Sequence, residues 1–194
     1  MSTIFFDVDT QFDFLLPAGA LYVPGAERLL PALARLRDCA SARGIVIVSS
    51  TDAHEEDDPE FAQWPPHCVR GTAGQQKPAE TLLEPRITIP VQPGDYPVGG
   101  ARQIVVEKQA LDVFTNPNLP GLLEGLGVRR CVVYGVVTEY CVRCAALGLL
   151  QRGYEVEVVT DAIRSLDAAA EQRTLEEIVR AGGRLTTVAE VCGD

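Results

Sequence analysis

The chain has 194 residues, of which 46% are hydrophobic, so it is long enough and apolar enough to bury a core of its own. Its acidic residues outnumber its basic ones by 27 to 17, which argues against nucleic acids and anionic membrane surfaces as main partners. No apolar run approaches the roughly 20 residues of a membrane span, and the N-terminus lacks the basic region and cleavage site of a signal peptide. We therefore expect one domain over residues 1–194, located in the cytoplasm.

Short apolar runs and helical patterns alternate along the chain. Strands are predicted at residues 4–6, 45–48, 104–106, 130–134, 155–159 and 184–186. Helices are predicted at residues 26–43, 119–126, 141–152 and 168–181, and a small hairpin near residues 87–91. This alternation predicts an α/β fold, a doubly wound three-layer α/β/α arrangement whose mostly parallel sheet has six strands.

Residues 51–103 are punctuated by proline and glycine and are predicted to be mostly loop. Loops of this length in a compact domain are usually functional. The two histidines of the chain, His54 and His67, and its only tryptophan, Trp64, lie in the first part of this loop, close to Asp52. Because the segment follows a predicted buried strand, its imidazoles and carboxylates indicate a metal-binding loop at the edge of the sheet where α/β proteins build their sites.

Three other strand ends carry reactive groups. Asp9 follows the first predicted strand, Lys108 follows the third, and Cys141 begins the helix after the fourth; in a doubly wound sheet these ends are neighbours. A helix N-terminus and a nearby lysine favour the thiolate of a cysteine, and a carboxylate can take the thiol proton and return it to a leaving amine. Backbone N–H groups around Val137 and Cys141 can hold an oxyanion. From residue types alone, the carboxylate can equally be a helix cap and the lysine a surface side chain.

A set of motifs runs in order along nearly the whole chain. They are Asp9-x-Gln11-x-Asp13-Phe14, Asp52-x-His54, Trp64-Pro65-Pro66-His67-Cys68-Val69-x-Gly71-Thr72-x-Gly74, Lys108 and Gly135-x-x-Thr138-x-x-Cys141-Val142. In this order they resemble the isochorismatase-like cysteine hydrolases, and within that superfamily the nicotinamidases. The Trp-Pro-Pro-His-Cys-Val run and the aspartate, lysine and cysteine set are specific together, whereas any one of them alone is weak.

The resemblance implies Asp9, Lys108 and Cys141 as a catalytic triad, with a thioester formed on Cys141. It implies a cis peptide bond before Val137 and an oxyanion hole made by the N–H groups of Val137 and Cys141. The implied activity is that of a metal-assisted cysteine amidohydrolase acting on a small-molecule amide, with nicotinamide as the favoured substrate.

The resemblance also implies one divalent metal ion, zinc, manganese or iron. The implied ligands are Asp52, His54, His67 and Glu60, and at the last position relatives carry either histidine or glutamate. Phe14 and Trp64 match aromatic residues that sandwich the pyridine ring, whose nitrogen would bind the metal, and Val137 is assigned to the substrate site as well. Relatives usually form dimers or larger assemblies, so a homo-oligomer is implied.

Several residues near these motifs have plainer interpretations. The six cysteines are expected to be reduced, since the chain is not small and shows no export signal, and Cys68 is interpreted as a packing residue. Asp13 and Asp161 are expected to fix loops or cap helices, and the acidic run at residues 55–58 is expected to be solvated.

Alternatives to the favoured function stay open at this point. Cys141-Val142-Arg143-Cys144 can be a redox pair, a related amide or ureido hydrolase can carry a vestigial metal loop, and a binding module can share the fold without catalysis. Residues 109–118 and the pair Glu139-Tyr140 depart from the pattern that is common in nicotinamidases. These segments line the expected pocket, so they bear on the substrate more than on the reaction.

Overall fold

In the computed structural model, which describes residues 2–193, one sheet of seven strands forms the centre of the molecule. The strands are β1 (Ser2–Val8), β2 (Ile47–Asp52), β3 (Arg86–Ile89), β4 (Gln103–Lys108), β5 (Val128–Val136), β6 (Glu155–Arg164) and β7 (Arg184–Thr186). Their order across the sheet is β3-β4-β2-β1-β5-β6-β7, and every neighbouring pair is parallel. The predicted α/β class and parallel sheet are confirmed.

The predicted number of six strands is wrong, because β3 is a seventh. It lies where the sequence predicts a loop with a hairpin near residues 87–91, but it pairs in parallel with β4 at the edge of the sheet. Only Ile89 of this strand is fully buried. A four-residue edge strand with most of its side chains in contact with water carries too little apolar pattern to be distinguished from loop.

Helices cover both faces of the sheet and give the predicted three layers. They are α1 (Phe12–Leu15), α2 (Leu30–Arg43), α3 (Leu119–Gly125), α4 (Arg143–Gln151), α5 (Ala168–Arg180) and α6 (Val188–Cys192). The side chains of β1 alternate between the two layers: Ile4 and Phe6 pack in the apolar cluster with α3, α4 and α5, whereas Phe5 packs in the cluster with α1, α2 and α6.

Local sequence signals fix where the longer helices begin and end. The helix predicted at residues 26–43 starts with a 3-10 turn, and α2 ends at Gly44, whose φ of 64° is the left-handed conformation that glycine adopts most easily. Asp167 caps α5 by accepting a hydrogen bond from the N–H of Ala170. The helix predicted at residues 141–152 instead opens with a π-helical turn, Thr138–Val142, before α4; such turns are frequent at functional sites.

The order of strands gathers four carboxyl ends at one edge of the sheet. β4, β2, β1 and β5 are consecutive neighbours, and the order reverses between β1 and β5, which is where open α/β sheets bind their ligands. The sequence predicts that the strand ends carrying Asp9, Lys108 and Cys141 are neighbours, without giving the order of the strands. In the structure β2 lies between β1 and β4, so Asp52 at the end of β2 pairs in register with Lys108.

Among residues 2–193 no helix has both the length and the apolar character needed to cross a bilayer.

A buried ion pair fastens the long loop to β1 behind the site. Lys77 Nζ lies 3.0 Å from Asp7 Oδ2 and donates a 2.7 Å hydrogen bond to Thr10 Oγ1. Asp7 also accepts hydrogen bonds from Thr10 Oγ1 and Ser49 Oγ. Both charged side chains are almost completely shielded from water, so each depends on the other for its counter-charge.

Replacing Lys77 by alanine is expected to destabilise the protein strongly, because it leaves the Asp7 carboxylate buried without a cation. The expected loss in the free energy of unfolding is about 3–5 kcal/mol, measured by urea denaturation. Arg173→Ala is the matched control, because Arg173 forms an exposed pair with Asp167 at 3.9 Å whose loss should change stability by less than about 1 kcal/mol. Equal losses in the two variants would contradict the assigned role of Lys77.

Candidate active site

Lys108 is the centre of the site. It ends β4, and its side chain is 1% exposed. Its Nζ lies 2.9 Å from Asp9 Oδ2, donates a short hydrogen bond to Asp52 Oδ1, and lies 3.6 Å from Cys141 Sγ. The three side chains that the sequence proposes as a triad are therefore brought together, and Asp52 joins them through the same ammonium group.

The backbone of Asp9 turns sharply where β1 ends. Its φ is 48°, a left-handed conformation that aspartate tolerates better than most residues. The Asp9 N–H donates to the carbonyl of Ser50 on β2, and its Oδ1 accepts a 2.6 Å hydrogen bond from Ser50 Oγ. These contacts fix the carboxylate, whose Oδ2 faces Lys108.

The buried charges perturb one another. Burial lowers the pKa of Lys108, but Asp52 and Asp9 outweigh burial and raise it well above the usual lysine value, so the amine is an ammonium ion. Burial raises the pKa of Asp52, but Lys108 more than offsets burial and the pKa is lowered. For Asp9, burial is stronger than the attraction of Lys108, so its pKa is raised.

Burial opposes the two features that favour a thiolate at Cys141, the helix N-terminus and the nearby lysine. Burial raises the pKa of Cys141 well above its usual value, and although Lys108 opposes this, Asp9 and Asp52 raise the pKa further. The helix N-terminus and a single lysine are insufficient when the thiol is buried beside two carboxyl groups. The sulfur therefore carries its proton until a neighbouring base removes it.

Asp52, His54 and His67 form a cluster of three buried donors whose ligand atoms all lie within 4.8 Å of one another. Asp52 Oδ2 lies 3.9 Å from His54 Nε2 and 3.8 Å from His67 Nε2. The Nδ1 of His67 donates to the Pro65 carbonyl at 2.8 Å, and the Nδ1 of His54 lies 2.9 Å from Asp58 Oδ2. Because each Nδ1 is occupied, the Nε2 of each ring is the nitrogen that faces Asp52 and is available as a ligand.

The donor set fits a divalent metal ion. His54 Nε2 is buried and has no hydrogen-bond partner among residues 2–193, which would be unfavourable unless the nitrogen binds an ion. Two imidazoles and one carboxylate suit zinc and other first-row metals, and the hydrogen bonds at Nδ1 are typical of metal-ligating histidines.

Backbone hydrogen bonds close the metal-binding loop at its base. The N–H of His54 donates to the carbonyl of Cys68, and the N–H of Arg70 donates to the carbonyl of His54. His54 and Val69 form a short parallel bridge. The two imidazoles therefore stand side by side at the neck of the loop, with their ring centroids 4.8 Å apart.

Glu60, the fourth proposed ligand, is not part of the cluster of three donors. It lies in a 3-10 turn, Pro59–Ala62, and is half-buried at the wall of the same cavity. Burial raises the pKa of Glu60, as does the nearby carboxylate of Asp52. Its assignment as a ligand stays a prediction.

Asp58 is a site residue that the sequence interpretation missed. The acidic run at residues 55–58 was expected to be solvated, yet the Asp58 side chain is only 9% exposed. Its Oδ1 accepts a hydrogen bond from the Glu60 N–H, and its Oδ2 holds His54 Nδ1. Burial raises the pKa of Asp58, but the Glu60 N–H and His54 outweigh burial and lower it. An aspartate directly before a proline is a helix-capping signal that distinguishes it from its neighbours.

A cavity lies over Cys141 and is also lined by Asp52 and His67 of the donor cluster. Phe14, Trp64 and Val137, the proposed substrate-binding residues, all line it together with Cys141. The Val136–Val137 peptide bond is cis, as the resemblance implied. Leu111 and Tyr140, which lie in the segments that the sequence analysis expects at the pocket, also line it, and further wall residues that the sequence analysis did not assign are Leu21, Tyr22, Val23 and Leu166.

Neighbouring polar residues have the structural roles expected of them. Asp13 accepts hydrogen bonds from the N–H groups of Ala20 and Cys68, which fixes the loops beside the cavity. Cys68 is fully buried, in keeping with a packing role. Cys141 and Cys144 are both free thiols.

Comparison with known proteins relates the sequence and the fold to one group of hydrolases. The sequence model of the isochorismatase domain matches residues 95–190. The nicotinamidase of Escherichia coli (strain K12) is 27% identical over 204 residues, covering 94% of this chain and 93% of that protein. The structure of the pyrazinamidase of Pyrococcus horikoshii in complex with zinc is 30% identical, with a TM-score of 0.80 over 96% of this chain and 99% of that one. The structure of PnC1 from L. infantum in complex with nicotinate is 27% identical, with a TM-score of 0.80 over 97% and 93%.

Replacing Asp58 by asparagine is expected to weaken zinc binding by about 10–100-fold, because the ring of His54 loses the carboxylate that orients it. Competition with a chromogenic chelator measures the affinity directly. Asp57→Asn is the matched control, because it removes the same charge from an exposed neighbour. If both variants bind zinc with the same affinity, the effect is one of general charge and Asp58 does not orient His54.

Proposed function

This chain belongs to the isochorismatase-like hydrolase family, and on that basis we propose that it is a nicotinamidase, which converts nicotinamide and water into nicotinic acid and ammonia. It is similar to nicotinamidases along nearly its whole length, and it is an amide hydrolase. The observation that carries the proposal is that Cys141, which Lys108 contacts together with Asp9, lines the same cavity as Asp52 and His67 of the donor cluster.

The first half of the proposed reaction forms a thioester on Cys141. Asp9 takes the thiol proton as Cys141 Sγ attacks the carboxamide carbon, and the C=O electron pair moves onto oxygen. When the C=O bond re-forms, the C–N bond breaks, and Asp9 gives its proton to the leaving ammonia. The raised pKa of Asp9 suits a group that must both accept and return a proton.

The second half releases the acid by the reverse of the same steps. Asp9 removes a proton from water, the oxygen of that water attacks the thioester carbon, and the C–S bond breaks as the carbonyl re-forms. The proton on Asp9 returns to sulfur. Lys108 stays an ammonium ion throughout, so it steadies the carboxylate of Asp9 and the negative charge that develops on sulfur.

The oxyanion of each tetrahedral intermediate needs hydrogen-bond donors. We assign this role to the N–H groups of Val137 and Cys141, since both residues line the cavity beside the sulfur. Donors that are fixed before the reaction stabilise the developing charge without reorganisation.

The walls of the cavity suit a flat aromatic ring. Phe14 is buried with its ring centroid 5.5 Å from that of His67, and Trp64 packs edge-on against Tyr140. We propose that the pyridine ring lies between Phe14 and Trp64. Asp52, His54 and His67, with Glu60 as a further candidate, would hold a divalent metal that supplies a Lewis acid for the ring nitrogen.

Release of ammonia from nicotinamide and pyrazinamide tests the proposal. Cys141→Ala is expected to lower turnover at least about a thousandfold, because no other group can form the thioester. Cys144→Ser is the matched control and should turn over as the wild type does. If Cys144→Ser is as inactive as Cys141→Ala, the pair acts as a redox couple and the hydrolytic proposal is wrong.

Removal of the metal tests the other half of the site. Treatment with a chelator is expected to abolish hydrolysis of nicotinamide, because the pyridine ring of the substrate loses the metal that orients it. Added zinc should restore the activity. A metal-free protein that keeps full activity would instead indicate a related amide or ureido hydrolase with a vestigial metal loop.

The raised pKa of Asp9 predicts the acid side of the pH profile. Asp9 must be ionised to accept the thiol proton, so kcat/KM should fall as the pH drops through a value above the usual aspartate pKa of about 3.9. The raised pKa of Lys108 means that loss of its proton does not limit activity near neutral pH. The profile should be measured at two zinc concentrations. If the acid side of the profile moves to a different pH when zinc is added, the fall in kcat/KM reflects loss of the metal. If it stays at the same pH, the fall reflects protonation of Asp9.

A further inference from the structure

The exposed apolar side chains are distributed unevenly over the surface. Within residues 2–193 four large hydrophobic residues are exposed: Leu111 (38%), Leu166 (50%), Val179 (48%) and Leu185 (44%). Leu111 and Leu166, which are far apart in sequence, both line the catalytic cavity. Val179 and Leu185 line a separate groove beside α5 and β7. Two of these four exposed residues therefore lie at the active site.

The cavity is polar at its buried end and apolar where it opens. Asp52, His67 and Cys141 are buried at the inner end. Leu111 and Leu166 are exposed, and Tyr140 is half-buried beside them. A bare pyridine carboxamide would use the inner end and leave the two leucines in contact with water, which is unfavourable for apolar surface.

The proposed reaction places the amine side of the amide against buried, charged groups. The leaving nitrogen must receive its proton from Asp9, and both Asp9 and Lys108 are 1% exposed. An alkyl group on that nitrogen would have to displace these packed and charged groups. An apolar extension of the substrate is therefore better accommodated on the acyl side, where the exposed Leu111 and Leu166 line the cavity.

Leu166 is held at the opening by Glu139, one of the residues that depart from the pattern of the nicotinamidases. Glu139 Oε1 accepts hydrogen bonds from the N–H groups of Leu166 and Asp167, at 2.9 and 3.3 Å. Asp167 in turn caps α5. Glu139 thus turns away from the cavity and positions Leu166 rather than contacting the substrate.

We propose that Leu111 and Leu166 form a subsite for an apolar substituent on the ring of the substrate, and that Glu139 positions this subsite. The inference rests on the proposed amidase activity and narrows its substrate class. The preferred substrates are primary aromatic carboxamides that carry an alkyl or aryl group on the ring, and amides substituted on nitrogen are excluded.

Turnover of nicotinamides that carry methyl, ethyl or propyl groups at ring carbon 5 or 6 tests the subsite. In one of these series the wild type should gain in kcat/KM over nicotinamide, up to about fourfold for each buried methylene, mainly through a lower KM. N-methylnicotinamide should not be hydrolysed. Wild-type kcat/KM that falls with chain length at both ring positions would overturn the proposal.

Matched variants distinguish an effect of the subsite from the effect of removing any exposed leucine. Leu166→Ala should lower the ratio of kcat/KM for the propyl compound to that for nicotinamide by about tenfold, whereas Leu185→Ala, a leucine of similar exposure on the far groove, should keep the wild-type ratio. Glu139→Ala should resemble Leu166→Ala. Glu139→Gln, whose amide oxygen can still accept both hydrogen bonds, should restore the ratio. Equal ratios for Leu166→Ala and Leu185→Ala would show that there is no subsite.

Failure of the subsite proposal and failure of the proposed function give different results in these measurements. Hydrolysis of nicotinamide without any preference for alkyl groups refutes the subsite alone. Hydrolysis of the alkylated amides without hydrolysis of nicotinamide supports the subsite and corrects the proposed substrate. If no amide is hydrolysed, the same ratios are measured as dissociation constants on the Cys141→Ala background, where equal affinities for alkylated and plain compounds refute the subsite.

Discussion

The ammonium group of Lys108 is the interaction on which the whole site depends. It lies between Asp9 and Asp52 and also faces the sulfur of Cys141, with almost no access to water. Without it, two carboxyl groups and a thiol would face one another in a medium that screens charge poorly. Asp52 belongs to the cluster of three donors and Asp9 to the set that includes Cys141, so a single cation joins the two halves of the site electrostatically.

The same cation sets how the buried groups share charge. Lys108 and His54 lower the pKa of Asp52, whereas burial raises the pKa of Asp9 and that of Cys141. In the proposed reaction, the attack by sulfur would move a proton from the thiol to the Asp9 carboxylate, whose pKa is raised by burial. A permanently ionised thiol in the same place would add a second uncompensated negative charge.

Much of the fold and the site follows from the sequence because parallel strands are continuous apolar runs and reactive residues follow their ends. Asp9, Lys108 and Cys141 are predictable in this way. Asp58 was hidden within a charged run: the proline that follows it indicates a helix cap, but its contact with His54 across the loop is not visible in the sequence. The pKa of Cys141 depends on burial, and the place of Leu166 depends on a hydrogen bond to Glu139 across 27 residues; neither can be obtained from local pattern. The edge strand β3 lacked the apolar signal of the central strands.

The closed neck of the metal-binding loop has a consequence for how this protein can diversify. His54 is tied by its backbone to Cys68 and Arg70, so the distance between His54 and His67 is set at the base of the loop and not by the residues within it. The entropic cost of lengthening a loop is small, only about 0.6 kcal/mol for each doubling. The part of the intervening segment that follows Glu60, which includes Trp64, can therefore change in length and composition while the imidazoles keep their spacing. Evolution can thus exchange one wall of the pocket and leave His54, Asp58 and His67 in place.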